Sequence, residues 1–288
     1  MFLSLEFDIP KGSKLYFNKG AKLKRKIEHL ASDILIDNGF EEIITPHFFD
    51  SKAMDKLQKV IHIKSENNQF LSLRSDSTIE VLRLVTNRLS TENKKWFYIQ
   101  PIFLYPSTTK YQIGVEHIGN DDITSIVPIL STMLRSFEQE YVLQLSNIKI
   151  IHLLEQKYNI KKELFSPLCL EEVLSLKIDW LEKLTHIHSL QDLQDLSAYP
   201  SDIAKELERI KCSAETIVQN ANDKTTHIVI EPLYYDTMEY YESLYFRAFH
   251  KNTLLARGGI YADSQIVSSG FAIYVDELME ELTIKEEK

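Results

Sequence analysis

Gln112, Gly114 and Glu116 occupy alternate positions of YQIGVEHI, residues 111–118. The segment is dense in aromatic and β-branched residues and reads as a strand, in which alternate side chains share a face. One face therefore carries an amide, a gap and a carboxylate in line, and the other carries Tyr111, Ile113 and Val115. The glycine leaves room for a small molecule to lie on the backbone between amide and acid. That arrangement suits a ligand with an ammonium group. The plain alternative is a solvated sheet face with a glycine bulge.

The strand needs a partner, and WFYIQPIFLY at residues 96–105 supplies it, with PSTTK as the turn. Before this hairpin, Leu23, Ile27, Leu30, Ile34 and Leu35 recur at helical spacing, and Asn38-Gly39 gives the stop. Lys19, Lys22, Lys24, Arg25 and Lys26 then form that helix's solvated face. FEEIITP, residues 40–46, reads as a strand closed by Pro46. Residues 51–60 read as a short helix and residues 69–73 as a strand. Asp76 or Ser77 caps a helix over residues 78–89. After the hairpin, Asp121-Asp122 opens a long helix whose apolar stripe runs from Ile126 to Tyr141. Residues 147–153 read as a strand.

All eight glycines lie at or before Gly119 or at or after Gly258. The glycine-free middle, residues 154–222, is rich in Leu, Glu, Lys and Ile and reads as a run of helices. Strands resume at residues 227–230. A hairpin follows, with strands at 240–250 and 253–261 joined by Lys251-Asn252. A last strand at 271–275 precedes a terminal helix over 276–288. Strands at both ends of a helical middle predict an α+β fold with a largely antiparallel sheet.

The net charge of −9 argues against a general nucleic-acid binder, because phosphate neutralisation needs Lys and Arg. Cys169 and Cys212 show neither metal-ligand spacing nor a disulfide framework, which suits a reducing compartment. A secretory leader and an apolar run of about 18–20 residues are both lacking, so the chain reads as cytoplasmic. There is no GxxxxGK[ST] loop, GxGxxG after a strand, zinc-type cluster or GxSxG elbow. His186 and His188 read as surface residues. The expectation is no metal, no cofactor and no self-contained catalytic motif.

Six segments, in order, resemble those of histidyl-tRNA synthetases. FEEIITP resembles the dimer-forming first motif of class II synthetases. LRSDST resembles the segment that holds the amino group of histidine. YIQPIFLYPSTTKYQIGVEHIG resembles the second motif with its following QxGxE strand. DTMEYY resembles RGLDYY, ARGGIYAD resembles ARGGRYD, and GFAIYVDEL resembles the third motif. The resemblance spans nearly the whole chain. It implies one synthetase-like domain over 1–288, with sheet-forming parts at about 1–153 and 225–288, a helical insert at about 154–222 and no anticodon-binding domain. It also implies a histidine pocket of Asp76, Thr78, Gln112, Glu116, Tyr240 and Tyr241.

Three positions depart from the family. Leu104, Asp236 and Glu277 stand where synthetases have arginines, the turn after Leu104 is shorter, and Tyr274 replaces a small residue under the nucleotide. Two of three cations have become anions. That implies loss of adenylation, with no catalytic residues left, and leaves the carboxylate of a histidine ligand without its usual cation at Asp236. The pocket is expected to be closed on the ATP side by Tyr274 and kept free of phosphate by Glu277. The combination resembles the regulatory subunits of ATP phosphoribosyltransferase. The implied partners are a short-form catalytic subunit, a second copy of this chain at least, and histidine, with no tRNA and no membrane. A catalytically inactive synthetase-like paralogue serving another partner is the alternative. A working synthetase would need its cations from Arg247 or Arg257.

Overall fold

The structure is a computed structural model and describes residues 9–50, 60–64, 66–67, 69–89, 91–137, 140–165, 170–220, 227–235, 241–263 and 266–286. In chain order, helix α1 (Asn18–Asp37) is followed by strands β1 (Glu41–Glu42), β2 (Phe48–Asp50), β3 (His62–Lys64) and β4 (Phe70–Leu73), and then by α2 (Thr78–Asn87). The hairpin β5 (Lys95–Leu104) and β6 (Thr108–Ile118) leads to α3 (Val127–Ser136) and β7 (Val142–Asn147). Four helices follow: α4 (Ile148–Gln156), α5 (Leu170–Ser175), α6 (Asp179–Leu184) and α7 (Ser201–Asn220). The chain then runs through β8 (His227–Ile230), β9 (Tyr241–His250), β10 (Thr253–Asp263) and β11 (Ile266–Tyr274) into α8 (Val275–Glu286).

Among the described residues, eight strands form one sheet in the order β1-β5-β6-β11-β10-β9-β7-β8, and β2-β4-β3 form a second. The large sheet is antiparallel through its centre, with parallel pairs only at its two edges, β1 with β5 and β7 with β8. The sheet carries the expected α+β architecture. The core lies between the sheet and the helices behind it, where Ala31, Leu35, Val127, Leu130, Met133 and Leu134 are fully or almost fully buried.

Several expectations change. Residues 147–153 form a helix, not a strand. The β-branched run Ile148, Ile150 and Ile151 suggested a strand, but Ile148, Ile151 and Leu154 recur at helical spacing and are buried. Asn147 ends β7, and its side chain accepts from the Lys149 N–H at 3.1 Å, capping the helix. FEEIITP contributes only two residues to the sheet, paired in parallel with Trp96 and Phe97, plus an Ile43 N–H bond to the Phe97 carbonyl at 2.8 Å. Lys24 is not on a solvated face. Its Nζ lies 3.6 Å from the centroid of the Tyr111 ring and pairs with Glu28, because Tyr16 and Tyr111 meet edge to face beside it. The helix expected from Asp121 begins later. Asp122 caps a short 3-10 turn, Ile123–Ser125, and Tyr141 lies beyond the end of α3. The helix expected over 51–60 lies outside the described residues, except for Val60.

Candidate functional site

The register of the large sheet lines up three rows of side chains on one face. Gln100, Gln112 and Tyr274 form the first row. Tyr98, Gly114, Ala272, Arg257, Arg247 and Gln144 form the second. Trp96, Glu116, Gly270, Gly259 and Tyr245 form the third. Helix α2 packs over this face against β6 and β10. Gln112 and Glu116 thus share a face, separated by about 13 Å at the usual strand rise.

The space at Gly114 is not open. A Cβ there would lie 1.9 Å from Tyr98 Cζ, so the cross-strand tyrosine leans over the glycine and fills the gap expected to hold a ligand. Gly270 is needed for a different reason. A Cβ on it would come within 2.2 Å of Glu116 Oε2 and 2.5 Å of the Val115 carbonyl.

Glu116 is fully buried. Its Oε2 accepts from the Tyr261 hydroxyl at 2.5 Å. The hydroxyls of Thr78 and Tyr98 also lie against this carboxyl, although Oε1 lacks a well-aligned partner. Burial pushes Glu116 up to about 8, partly offset by these hydroxyls and reinforced by Asp76. Asp76 caps α2, its Oδ1 accepting from the Ile79 N–H at 3.2 Å. Burial raises its pKa, while that bond and the Arg257 charge lower it. Ser77, the other candidate cap, instead accepts from Gln100 Nε2 at 3.1 Å.

Asp76, Thr78 and Glu116 are therefore one cluster with Tyr98 and Tyr261. Gln112 lies on the same face, beyond the Tyr98 ring. Tyr241 is buried and stacks on Tyr245 with ring centroids 5.4 Å apart. Tyr240 and Asp236 lie outside the described residues. His188 is a surface residue, its Nδ1 3.0 Å from Glu231.

Two residues of this region escaped the sequence reading. Glu80 is 5% exposed, and neither carboxyl oxygen has a hydrogen-bond partner. Burial pushes it up to about 9, with Asp76 adding to the rise and Arg74 and Arg83 opposing it. The signal was present: Asp76 and Glu80 are four residues apart, so a helix places the like charges together. Arg74 is fully buried. Its Nε and Nη2 donate to the Pro101 carbonyl at 2.9 and 2.7 Å. Its Nη1 donates to the Thr45 carbonyl, Thr45 Oγ1 and Gln100 Oε1 at 2.9, 2.9 and 3.1 Å.

On the side expected to meet ATP, only residues 105–107 separate β5 from β6. Tyr274 is buried, with Lys110 Nζ 5.4 Å and Arg257 Cζ 5.7 Å from its ring centroid. Glu277 is not an isolated anion. It pairs with Lys110 at 3.3 Å, which neutralises much of its field.

This architecture is that of the class II histidyl-tRNA synthetase-like proteins. It superposes on an ATP phosphoribosyltransferase regulatory subunit/histidyl-tRNA synthetase from Bacillus halodurans C with a TM-score of 0.83 at 18% identity, covering 96% of this chain and 83% of that one. The ATP phosphoribosyl transferase (HisG:HisZ) complex from Thermotoga maritima gives a TM-score of 0.71 at 18% identity, covering 88% and 97%. The histidyl-tRNA synthetase family matches residues 16–278. In sequence, the chain is 40% identical over 287 residues to the ATP phosphoribosyltransferase regulatory subunit of Wolinella succinogenes, covering 98% of each. It is 37% identical to that of Helicobacter hepaticus, covering 96% of this chain and 98% of that one. A histidine–tRNA ligase of Saccharolobus islandicus is 26% identical, covering 98% of this chain and 77% of the ligase. The chain belongs to the histidyl-tRNA synthetase family and, within it, to the regulatory subunits of ATP phosphoribosyltransferase.

Proposed function

We propose that this chain is a non-catalytic regulatory subunit of ATP phosphoribosyltransferase, needed for turnover of a short catalytic subunit and for histidine feedback in the first step of histidine biosynthesis. The observation that carries this reading is the end-to-end likeness to a regulatory subunit at 40% identity. The direct test is a sizing column run with the short catalytic subunit of the same genome. The two chains are expected to elute together; separate peaks would contradict the partnership.

The same proposal holds that synthetase chemistry is lost. Leu104 brings no charge, and Tyr274 fills the floor beneath a nucleotide. Lys110 is engaged by Glu277. A charge-assisted bond contributes about 1.5–3 kcal/mol, so losing several from a phosphate site removes many orders of magnitude in rate. Histidine-dependent pyrophosphate exchange is expected to stay at the buffer blank. Exchange above it would restore the synthetase reading.

Histidine is the proposed ligand of the pocket formed by Asp76, Thr78, Gln112, Glu116, Tyr240 and Tyr241. A homodimer or larger assembly is proposed on the edge around β1 and the small sheet, where Ile44, Phe48 and Phe70 are 77%, 53% and 58% exposed. The net charge of −9 gives tRNA little to hold. A cytoplasmic location is proposed; no helix among the described residues is long and apolar enough to cross a membrane. One observation favours a second reading, in which the pocket is a relic and the chain serves another partner: the Tyr98 ring occupies the space over Gly114.

A further inference from the structure

We propose that Arg257 supplies the cation for the carboxylate of an α-amino-acid ligand, in place of the arginine lost at Asp236. The proposal rests on reading the Asp76–Glu116 cluster as an amino-acid pocket. An α-amino acid carries its ammonium and carboxylate on one carbon. Its receptor needs an acid and a cation that bound one cavity.

Arg257 meets this requirement by position. It stands in the same row as Gly114, separated only by Ala272, whose side chain is small. Its guanidinium reaches over the Tyr274 ring, and its charge lies close enough to Asp76 to favour the ionised acid. Asp76 is thus the group for the ammonium and Arg257 the group for the carboxylate.

The other cations of this face are committed elsewhere. Arg247 is the register partner of Arg257, and directly opposed like charges are unfavourable. Arg247 relieves this by turning toward β7. Its Nε and Nη2 donate to Gln144 Oε1 at 3.1 and 2.5 Å, and its guanidinium lies 3.5 Å from the centroid of Tyr234. Lys110 pairs with Glu277. Arg83 pairs with Asp263 at 2.7 Å, and Arg74 is bound by carbonyl oxygens beneath the loop that carries Asp76. Arg257 remains the cation placed across from Asp76 on the ligand side.

The test compares histidine with histamine, which keeps the imidazole and the amine but lacks the carboxylate, by calorimetry on the full chain. The wild type is expected to bind histidine about 10- to 100-fold more tightly than histamine, the effect of one charge-assisted contact. Arg257→Gln should bring histidine down to the histamine level while leaving histamine as tight or tighter. Arg257→Lys should keep part of the preference, with thermal unfolding confirming that both variants fold. Asp76→Asn should weaken both ligands. Equal affinities in the wild type, or an Arg257→Gln variant that weakens both ligands equally or neither, would overturn the role of Arg257 and leave the pocket standing. A wild type that binds neither ligand would overturn the pocket and this role together.

Discussion

Arg74→Met is expected to lower the unfolding free energy by about 3–5 kcal/mol, read as a fall in the urea midpoint. The guanidinium is fully buried. It is held by main-chain carbonyls and side-chain oxygens of Thr45, Pro46, Gln100 and Pro101. Burial lowers its pKa, but an arginine stays charged across the accessible range. Methionine fills much of the stem volume and offers no donor, so several buried acceptors lose their partner. The consequence reaches the pocket. Arg74 N–H and C=O also bond to His47 and Phe103, so this residue fixes the loop that places Asp76 and Thr78. A loss below about 1 kcal/mol would show that the network contributes little.

The second large effect is a gain. Glu80→Gln is expected to stabilise the fold by on the order of 3 kcal/mol at pH 7 and to change little near pH 4.5. Glu80 rises from an ordinary value of 4.5 to about 9 in the fold. Between those values the folded state holds the proton and the unfolded state has released it. The wild type therefore loses stability as pH rises through that window, and stops losing it above about 9. Glutamine cannot ionise, so the slope flattens by one proton. Glu116, raised to about 8, leaves a similar slope of its own in the variant. Urea midpoints at pH 5, 7 and 9 check this. Parallel curves for wild type and variant would show that Glu80 ionises normally.

Much of the fold was legible because its signals are local. The β5–β6 hairpin shows aromatic and β-branched runs around a turn, and α7 shows a clean apolar stripe ending in buried Ile203, Leu207, Ile210 and Ile217. Residues 148–156 were misread because β-branched residues suit both a buried strand and a buried helix; only the Asn147 cap and the tertiary packing decide. The shared face of Gln112, Gly114 and Glu116 followed from the period of two. That Tyr98 covers Gly114 did not, since it depends on cross-strand register. Arg74 lies in a polar stretch that reads as a loop, and nothing local announces that carbonyls from two distant segments converge on it. Lys24 looked solvated because the helical pattern cannot show that Tyr16 and Tyr111 meet beside it.

The account stands most directly on a rate. The short ATP phosphoribosyltransferase of the same genome is assayed for condensation of ATP with phosphoribosyl pyrophosphate, alone and with this chain at equal concentration. The account predicts a higher turnover on mixing, lowered again by histidine. An unchanged turnover, with and without histidine, would contradict it.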